Sequence, residues 1–179
     1  MGEGRTSGRR PYIQRHVVAY LSRAFTPDPA GWFHPRYGTN FTDRLPKIAE
    51  AVCSLAAKSA LIDGEAVAVR PDGHSDFAAL RTKAGSARAC LVAFDLLNLN
   101  GEDFHQRPLE ERRAALSPLV AGVGNILFSD ALVAEGALVF AKACELGLEG
   151  IVSKRAGSRY SSGNSRQWLK SKNPEFERM

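Results

Sequence analysis

The sequence predicts an α+β fold with mainly antiparallel sheets flanked by helices. Three observations carry the prediction. Apolar runs of strand length are bounded by turn residues, as at 60–69 and 89–97. Helical periodicities fall between them at irregular intervals. A hairpin-like turn, Asp72-Gly73, follows the first of the two strands. A doubly wound sheet would need regular strand–helix alternation, which this chain lacks.

Taken in order, residues 1–11 are rich in Gly, Arg and Ser and are expected to be disordered. A short helix is expected over 12–25, broken by Pro27, Pro29 and Gly31. Residues 1–34 read as an N-terminal extension or remnant, and 35–179 as the domain proper. Thr42 or Asp43 can cap a helix in which Leu45, Ile48, Val52 and Leu55 recur at helical spacing. A strand at 60–69 and the Asp72-Gly73 turn lead to Ser75, which can cap a short helix running to Thr82. Residues 89–97 form a second apolar strand, ended by a turn over Asn98 to Gly101. Pro108 is placed as a first helical residue, opening a helix that carries Leu109, Arg112, Arg113 and Leu116. A strand at 125–129 precedes a helix at 135–146, which Gly147 stops in the usual C′ manner. Strands at 149–154 and 167–172 flank a polar loop from Ser158 to Ser165, and there is no internal repeat.

The 179 residues fit one domain, long enough to bury a core without staples. A formal net charge of +5 favours an anionic partner, and also simply aids solubility. Arginine outnumbers lysine 17 to 7, a bias that suits phosphate forks. The three cysteines, Cys53, Cys90 and Cys144, form no Cys-x-x-Cys pair, and are expected to be reduced, buried apolar residues of a cytoplasmic protein. Four scattered histidines give no zinc pattern. No apolar run approaches the ~18 residues of a membrane span, and Val17 to Leu21 is too short to be a secretion signal.

Chemistry concentrates in five short motifs: Arg36-Tyr37-Gly38, Asp63-Gly64-Glu65, Phe94-Asp95, Glu149-Gly150-Ile151-Val152-Ser153-Lys154 and Trp168-Leu169-Lys170-Ser171-Lys172. Strand alternation puts Leu61, Asp63 and Glu65 on one face, with Ile62 and Ala66 on the other. Two carboxylates beside an apolar sheet are costly unless a cation or hydrogen-bond donor meets them; otherwise they are solvated acids at a strand end. Phe94 offers a flat π surface for a base, although a lone strand phenylalanine reads more readily as core. Glu149 opens a strand directly after a helix stop, and Lys154, five residues on, should point to the opposite face. Lys170, Lys172 and Trp168 share a face, with Leu169 opposite. Two neighbouring ammonium groups repel unless an anion sits between them, or else form a solvated edge that discourages strand pairing.

In this order, the five motifs resemble the nucleotidyltransferase domain of ATP-dependent DNA ligases, most closely that of the bacterial multifunctional end-joining ligases. The resemblance implies an ATP-grasp-like α+β fold and an ATP and Mg²⁺ site. Glu65 would face the ribose and metal region, Phe94 would stack on the purine, and Glu149 would bind the metal. Lys170 and Lys172 would meet the α-phosphate, and Arg166 would contact phosphate as well. Arg36 would lie near the ribose or the nicked-strand phosphate. The implied partner is nicked or broken duplex DNA, in DNA repair through an adenylate intermediate. The Glu149 and Trp168 motifs lean toward DNA ligases rather than RNA ligases or capping enzymes.

One member of the pattern is missing. The family's chemistry begins at a Lys-x-Asp-Gly lysine, and the residues two before the two Asp-Gly pairs here are Leu61 and Arg70. Gly31-Trp32-Phe33-His34 resembles the lead-in to that motif, yet Pro35 and the Arg36 segment follow at once. An internal deletion after His34 explains this, and should leave a gap or an open edge beside the nucleotide pocket. The family's OB-fold domain is likewise not found before Met179. The expected activity is therefore that of a degenerate ligase domain, inactive alone. The alternatives are a non-enzymatic nucleotide- or nucleic-acid-binding module and one fragment of a split ligase. Covalent catalysis needs a positioned nucleophile, so no catalytic residue is assigned.

Overall fold

The structure is a computed structural model that describes residues 9–12, 21–25, 34–35, 42–69, 75–76, 78–131, 134–161 and 167–176. The N-terminal strands are β1 (Arg9–Tyr12), β2 (Leu21–Phe25) and β3 (His34–Pro35). A 3-10 turn at Thr42–Arg44 leads into α1 (Pro46–Cys53), β4 (Ala60–Val69) and β5 (Ser75–Asp76). A second 3-10 turn at Ala78–Arg81 precedes α2 (Lys83–Ser86), β6 (Ala89–Leu99) and β7 (Glu102–Asp103). The chain continues through α3 (Leu109–Val120), β8 (Ile126–Phe128), α4 (Gly136–Glu145), β9 (Gly150–Arg155) and β10 (Trp168–Lys172).

Among the described residues, these strands form two sheets. The larger runs β3-β2-β4-β6-β7, with β5 paired to β4 and β8 to β6; the smaller runs β1-β9-β10. All pairings are antiparallel except β6 with β8. One face of the larger sheet carries the main core. Ile62, Ala66, Leu91, Ala93 and Leu96 pack there against Ile48 and Val52 of α1 and Leu116 and Val120 of α3. A second core joins Val139 and Ala143 of α4 to Leu148 and Ile151, on the side of the smaller sheet away from the larger one. Between the sheets, Lys154 of β9 meets Asp63 of β4 and Asp95 of β6.

The helix expected over 12–25 is not found at its described ends. Tyr12 ends β1, and residues 21–25 form β2, which pairs with β4 from Phe25 opposite Ala60 to Leu21 opposite Gly64. Residues 9–11, expected to be disordered, belong to β1 and pair with β9. The physical reason is the same in both places. β4 and β9 each have one flank already paired, and an open flank leaves backbone N–H and C=O groups without partners. The flank of β4 is thus paired with β2 from Ala60 to Gly64, where an open edge was expected.

Smaller corrections follow from local hydrogen bonding. Asp76, not Ser75, caps the 3-10 turn: its Oδ1 accepts from the Ala79 N–H at 3.0 Å, while Ser75 joins β5. Thr82 Oγ1 caps α2 by accepting from Gly85 N–H at 3.0 Å. Pro108 is the N-cap of α3 rather than its first residue. Gly147, with φ +65°, ends α4 as expected. Cys53 is exposed rather than buried, whereas Cys90 is buried. The Asp72-Gly73 turn lies outside the described residues. No helix among them is long and apolar enough to cross a membrane.

Candidate nucleotide site between the two sheets

Asp63 and Glu65 alternate along β4 onto the face opposite the main core, and both are buried. β4 pairs with β6 along most of its length and with β2 from Ala60 to Gly64, so Asp63 sits inside the sheet, and Glu65 lies one residue past the end of β2. Both carboxylates meet the smaller sheet. Asp63 Oδ2 accepts a hydrogen bond from the Tyr160 hydroxyl at 2.9 Å, while Oδ1 is buried with no partner. Burial pushes the Asp63 carboxyl up to about 6, against the opposing pull of Lys154.

The β4–β6 ladder slips between Asp63 and Gly64, where Asp63 faces Asp95 and Gly64 faces Ala93. Phe94 is the extra residue of this bulge. A bulge re-aims side chains, and here it brings sequence neighbours Phe94 and Asp95 against one cation. Lys154 Nζ lies 4.4 Å from the Phe94 ring centroid and 3.5 Å from Asp95 Oδ2. It also lies 4.0 Å from the Trp168 ring centroid. Lys154 is almost fully buried, and desolvation lowers its pKa, opposed by Asp95 and Asp63. Asp95 is in turn gripped by Arg112, whose Nε and Nη2 donate to its two oxygens at 2.7 and 3.0 Å. Both residues are fully buried.

Lys154 thus belongs to the site, contrary to the face expected from its spacing to Glu149. Glu149 precedes β9, which begins at Gly150, so strand alternation does not extend to it. Across the β9–β10 pair, Trp168 lies opposite Lys154 and Lys170 opposite Val152, which puts Lys154, Trp168 and Lys170 on one face. Lys170 Nζ is 4.0 Å from Glu149 Oε1. Lys172 is opposite Gly150 and exposed.

Gly150 allows this pairing, because a Cβ there would lie 2.1 Å from the Ser171 carbonyl oxygen. Gly150→Ala is expected to force β10 away from β9 and to cost roughly 1–3 kcal/mol, as overpacking does. A urea titration of the two proteins measures this as a lowered midpoint with an unchanged slope.

Glu65 stands beside the Glu149–Lys170 pair. Its pKa is pushed up to about 8, first by burial and then by the Glu149 charge, with Lys170 pulling the other way. Its Oε1 is buried without a hydrogen-bond partner. Two carboxylates, one with an orphaned oxygen, suit a hard cation such as Mg²⁺, which takes one or two carboxylates and completes its shell with phosphate oxygens and water. No group of three or more His, Cys, Asp or Glu that could hold a metal occurs among the described residues.

The structure therefore brings Glu149 and Lys170 together with Glu65 beside them, and sets Phe94 against Lys154, which shares a face of the smaller sheet with Lys170; Lys172 follows along β10. Arg36 and Arg166 lie outside the described residues. Asp63, Asp95, Arg112, Lys154 and Tyr160 form a largely buried polar cluster beside Phe94. Asp63 and Asp95 stand inside quoted motifs, and an acid in an apolar strand is a usable signal. Tyr160 carries none, being 97 residues from its Asp63 partner.

Comparison with known proteins decides the family. The model described as "ATP dependent DNA ligase domain" matches residues 29–172. The chain belongs to the ATP-dependent DNA ligase domain family. Among curated relatives of this ligase domain, "Multifunctional non-homologous end joining protein LigD" of Pseudomonas aeruginosa is 39% identical over 142 residues, covering 76% of this chain and 17% of that protein. A "Probable DNA ligase" of Sorangium cellulosum is 38% identical over 149 residues, covering 73% of this chain and 27% of that one. The chain thus spans less than a third of the length of either. Among solved structures, the ligase domain of Mycobacterium tuberculosis LigD matches with a TM-score of 0.76 at 27% identity, covering 91% of this chain and 55% of that one. A mycobacterial DNA ligase D complexed with ATP and MES matches with a TM-score of 0.74 at 26% identity, covering 96% and 58%. The mixed α+β architecture is therefore that of a DNA ligase nucleotidyltransferase domain, and the relatives connect the family to end joining.

Proposed function

We propose that this ligase domain binds ATP with Mg²⁺ in the cleft between its sheets but does not take up AMP covalently by itself. The observation that carries the reading is the convergence of Glu65, Glu149 and Lys170 within a sequence that contains no Lys-x-Asp-Gly. Glu149 and Glu65 would hold the metal, which when bound neutralises and orients the triphosphate. Lys170 and Lys172 supply positive charge to the α-phosphate, and Arg166 adds a guanidinium fork. Phe94 would take the purine, which requires the Lys154 side chain to share or vacate the ring. Arg36 would meet the ribose or a strand phosphate. The family's DNA substrate, a nicked or broken duplex, would lie over the same basic border.

None of these groups replaces a nucleophile. Lys170 is committed to the phosphate, and Lys154 is buried among aromatic rings and carboxylates. The missing lysine also favours a second reading, in which this chain is one fragment of a split ligase and a complementing chain brings the nucleophile.

Thermal unfolding with and without ATP and Mg²⁺ tests the binding reading. A ligand at 100 times its Kd stabilises by about 2.7 kcal/mol, so the melting temperature should rise by several degrees. Glu149→Ala and Lys170→Ala should each remove most of the rise. An unchanged melting temperature at millimolar ATP would refute the proposal.

A further inference from the structure

A polar cavity of about 480 Å³ lies on the loop that leaves β9, lined by Arg155, Ser158, Arg159, Tyr160 and Gln167 among others. The loop backbone is held on three sides. Arg155 N–H donates to the Gln167 carbonyl at 2.8 Å, Tyr160 N–H to the His105 carbonyl at 2.9 Å, and the Ser158 carbonyl accepts from Arg112 Nη1 at 2.9 Å. The turn closes with Ser158 N–H on the Arg155 carbonyl at 3.2 Å, and Gly157 takes φ +68°.

Two features point to a ligand. Ser158 is 7% exposed, and its hydroxyl is buried with no hydrogen-bond partner. A buried hydroxyl without a partner is unfavourable, and an acceptor placed at the cavity wall that Ser158 lines would relieve it. Arg155 and Arg159 are both exposed, and neither has an ion-pair partner among the described residues. One acid touches the same turn: the Glu110 carboxylate accepts from Gly157 N–H at 2.9 and 3.1 Å. That turn therefore already holds one anionic group at its backbone.

We propose that this cavity binds a phosphate group, with Arg155 and Arg159 as guanidinium forks and the Ser158 hydroxyl as a donor. Guanidinium forks match phosphate geometry bidentately, and a hydroxyl adds directionality. The phosphate can come from a nucleic-acid strand or from a free phosphate or diphosphate. The site does not depend on the nucleotide cleft, since none of its three ligand groups is assigned to ATP or metal.

Fluorescence anisotropy of a labelled nicked duplex across salt concentrations tests this, with the wild-type chain, Arg155→Ala, Arg159→Ala and Ser158→Ala, and inorganic phosphate and pyrophosphate as competitors. Both arginines are exposed, so their variants should fold, and circular dichroism checks each one. For a strand phosphate, each arginine variant should weaken binding several-fold and lower the salt slope by about 1, and Ser158→Ala should weaken it at unchanged slope. Millimolar inorganic phosphate would then compete poorly. For a free phosphate, phosphate or pyrophosphate should raise the melting temperature of the wild type but not of Arg159→Ala, with duplex binding unmoved. If neither duplex binding nor phosphate stabilisation responds to these substitutions, the proposal is overturned. Glu149→Ala separates the two sites: it removes a metal carboxylate and no cation, so it should abolish ATP stabilisation while the dependence of duplex or phosphate binding on Arg155 and Arg159 persists.

Discussion

Arg112→Ala is expected to destabilise the chain by roughly 3–5 kcal/mol, the cost of breaking a buried ion pair by removing one partner. Arg112 and Asp95 are both fully buried. The guanidinium donates to both Asp95 oxygens, and its Nη1 also reaches the Arg107 carbonyl at 2.7 Å and the Ser158 carbonyl at 2.9 Å. Truncation orphans these acceptors together and leaves Asp95 with Lys154, at 3.5 Å, as its ion-pair partner among the described residues. A domain with ordinary stability of about 5–15 kcal/mol keeps little margin after such a loss. Asp95→Ala should cost a similar amount, and the double variant less than the sum, with a coupling of about 0.5–3 kcal/mol. Denaturant unfolding of the four proteins measures this cycle. Additive costs would mean that the pair does not act as a unit.

Glu65→Gln is expected to stabilise the free chain, and increasingly so as pH rises. The folded Glu65 carboxyl titrates at about 8, against 4.5 for the ordinary group. Below pH 4.5 the side chain is protonated in both folded and unfolded states, and contributes no pH dependence. Between pH 4.5 and 8 the unfolded chain releases the proton while the folded chain keeps it, so stability falls with rising pH. At about 1.4 kcal/mol per pH unit, the cost at pH 7 is on the order of 3 kcal/mol. Asp63 adds a loss of the same sign between 3.8 and about 6. Glutamine keeps the shape without the charge, so the variant should gain most of its advantage between pH 5 and 8. Urea midpoints at pH 5 and pH 8 test this. The gain has a functional cost, because Glu65→Gln removes a candidate metal carboxylate and should weaken stabilisation by ATP and Mg²⁺. A variant no more stable at pH 8 than the parent would show that Glu65 is solvated or paired in the folded state.

Much of the frame is legible in the sequence because periodicity and burial act locally. Ile48 and Val52 repeat at helical spacing on the buried face of α1, and Leu45 is buried as its N-cap. The apolar runs at 60–69 and 89–97 become β4 and most of β6. Alternation also places Asp63 and Glu65 together, away from Ile62 and Ala66. Local rules fail where pairing decides. The bulge that turns Phe94 and Asp95 onto Lys154 depends on where β6 slips against β4, and no residue of β6 alone announces it. Lys154 shares a face with Lys170 through the β9–β10 register, which spacing from Glu149 cannot reveal. The strands at 9–12 and 21–25 form because β9 and β4 offer open flanks, a long-range demand that outweighs local composition. Asp63 meets Tyr160 across 97 residues.

The most direct test of the central claim is incubation of the purified, folded chain with α-labelled ATP and Mg²⁺, followed by a denaturing gel. A nucleotide cleft without its nucleophile predicts no labelled protein band, even where ATP raises the melting temperature. A labelled band that survives denaturation and disappears in Lys154→Ala or Lys170→Ala would contradict the account, since one of those lysines would then have taken the nucleophile's place.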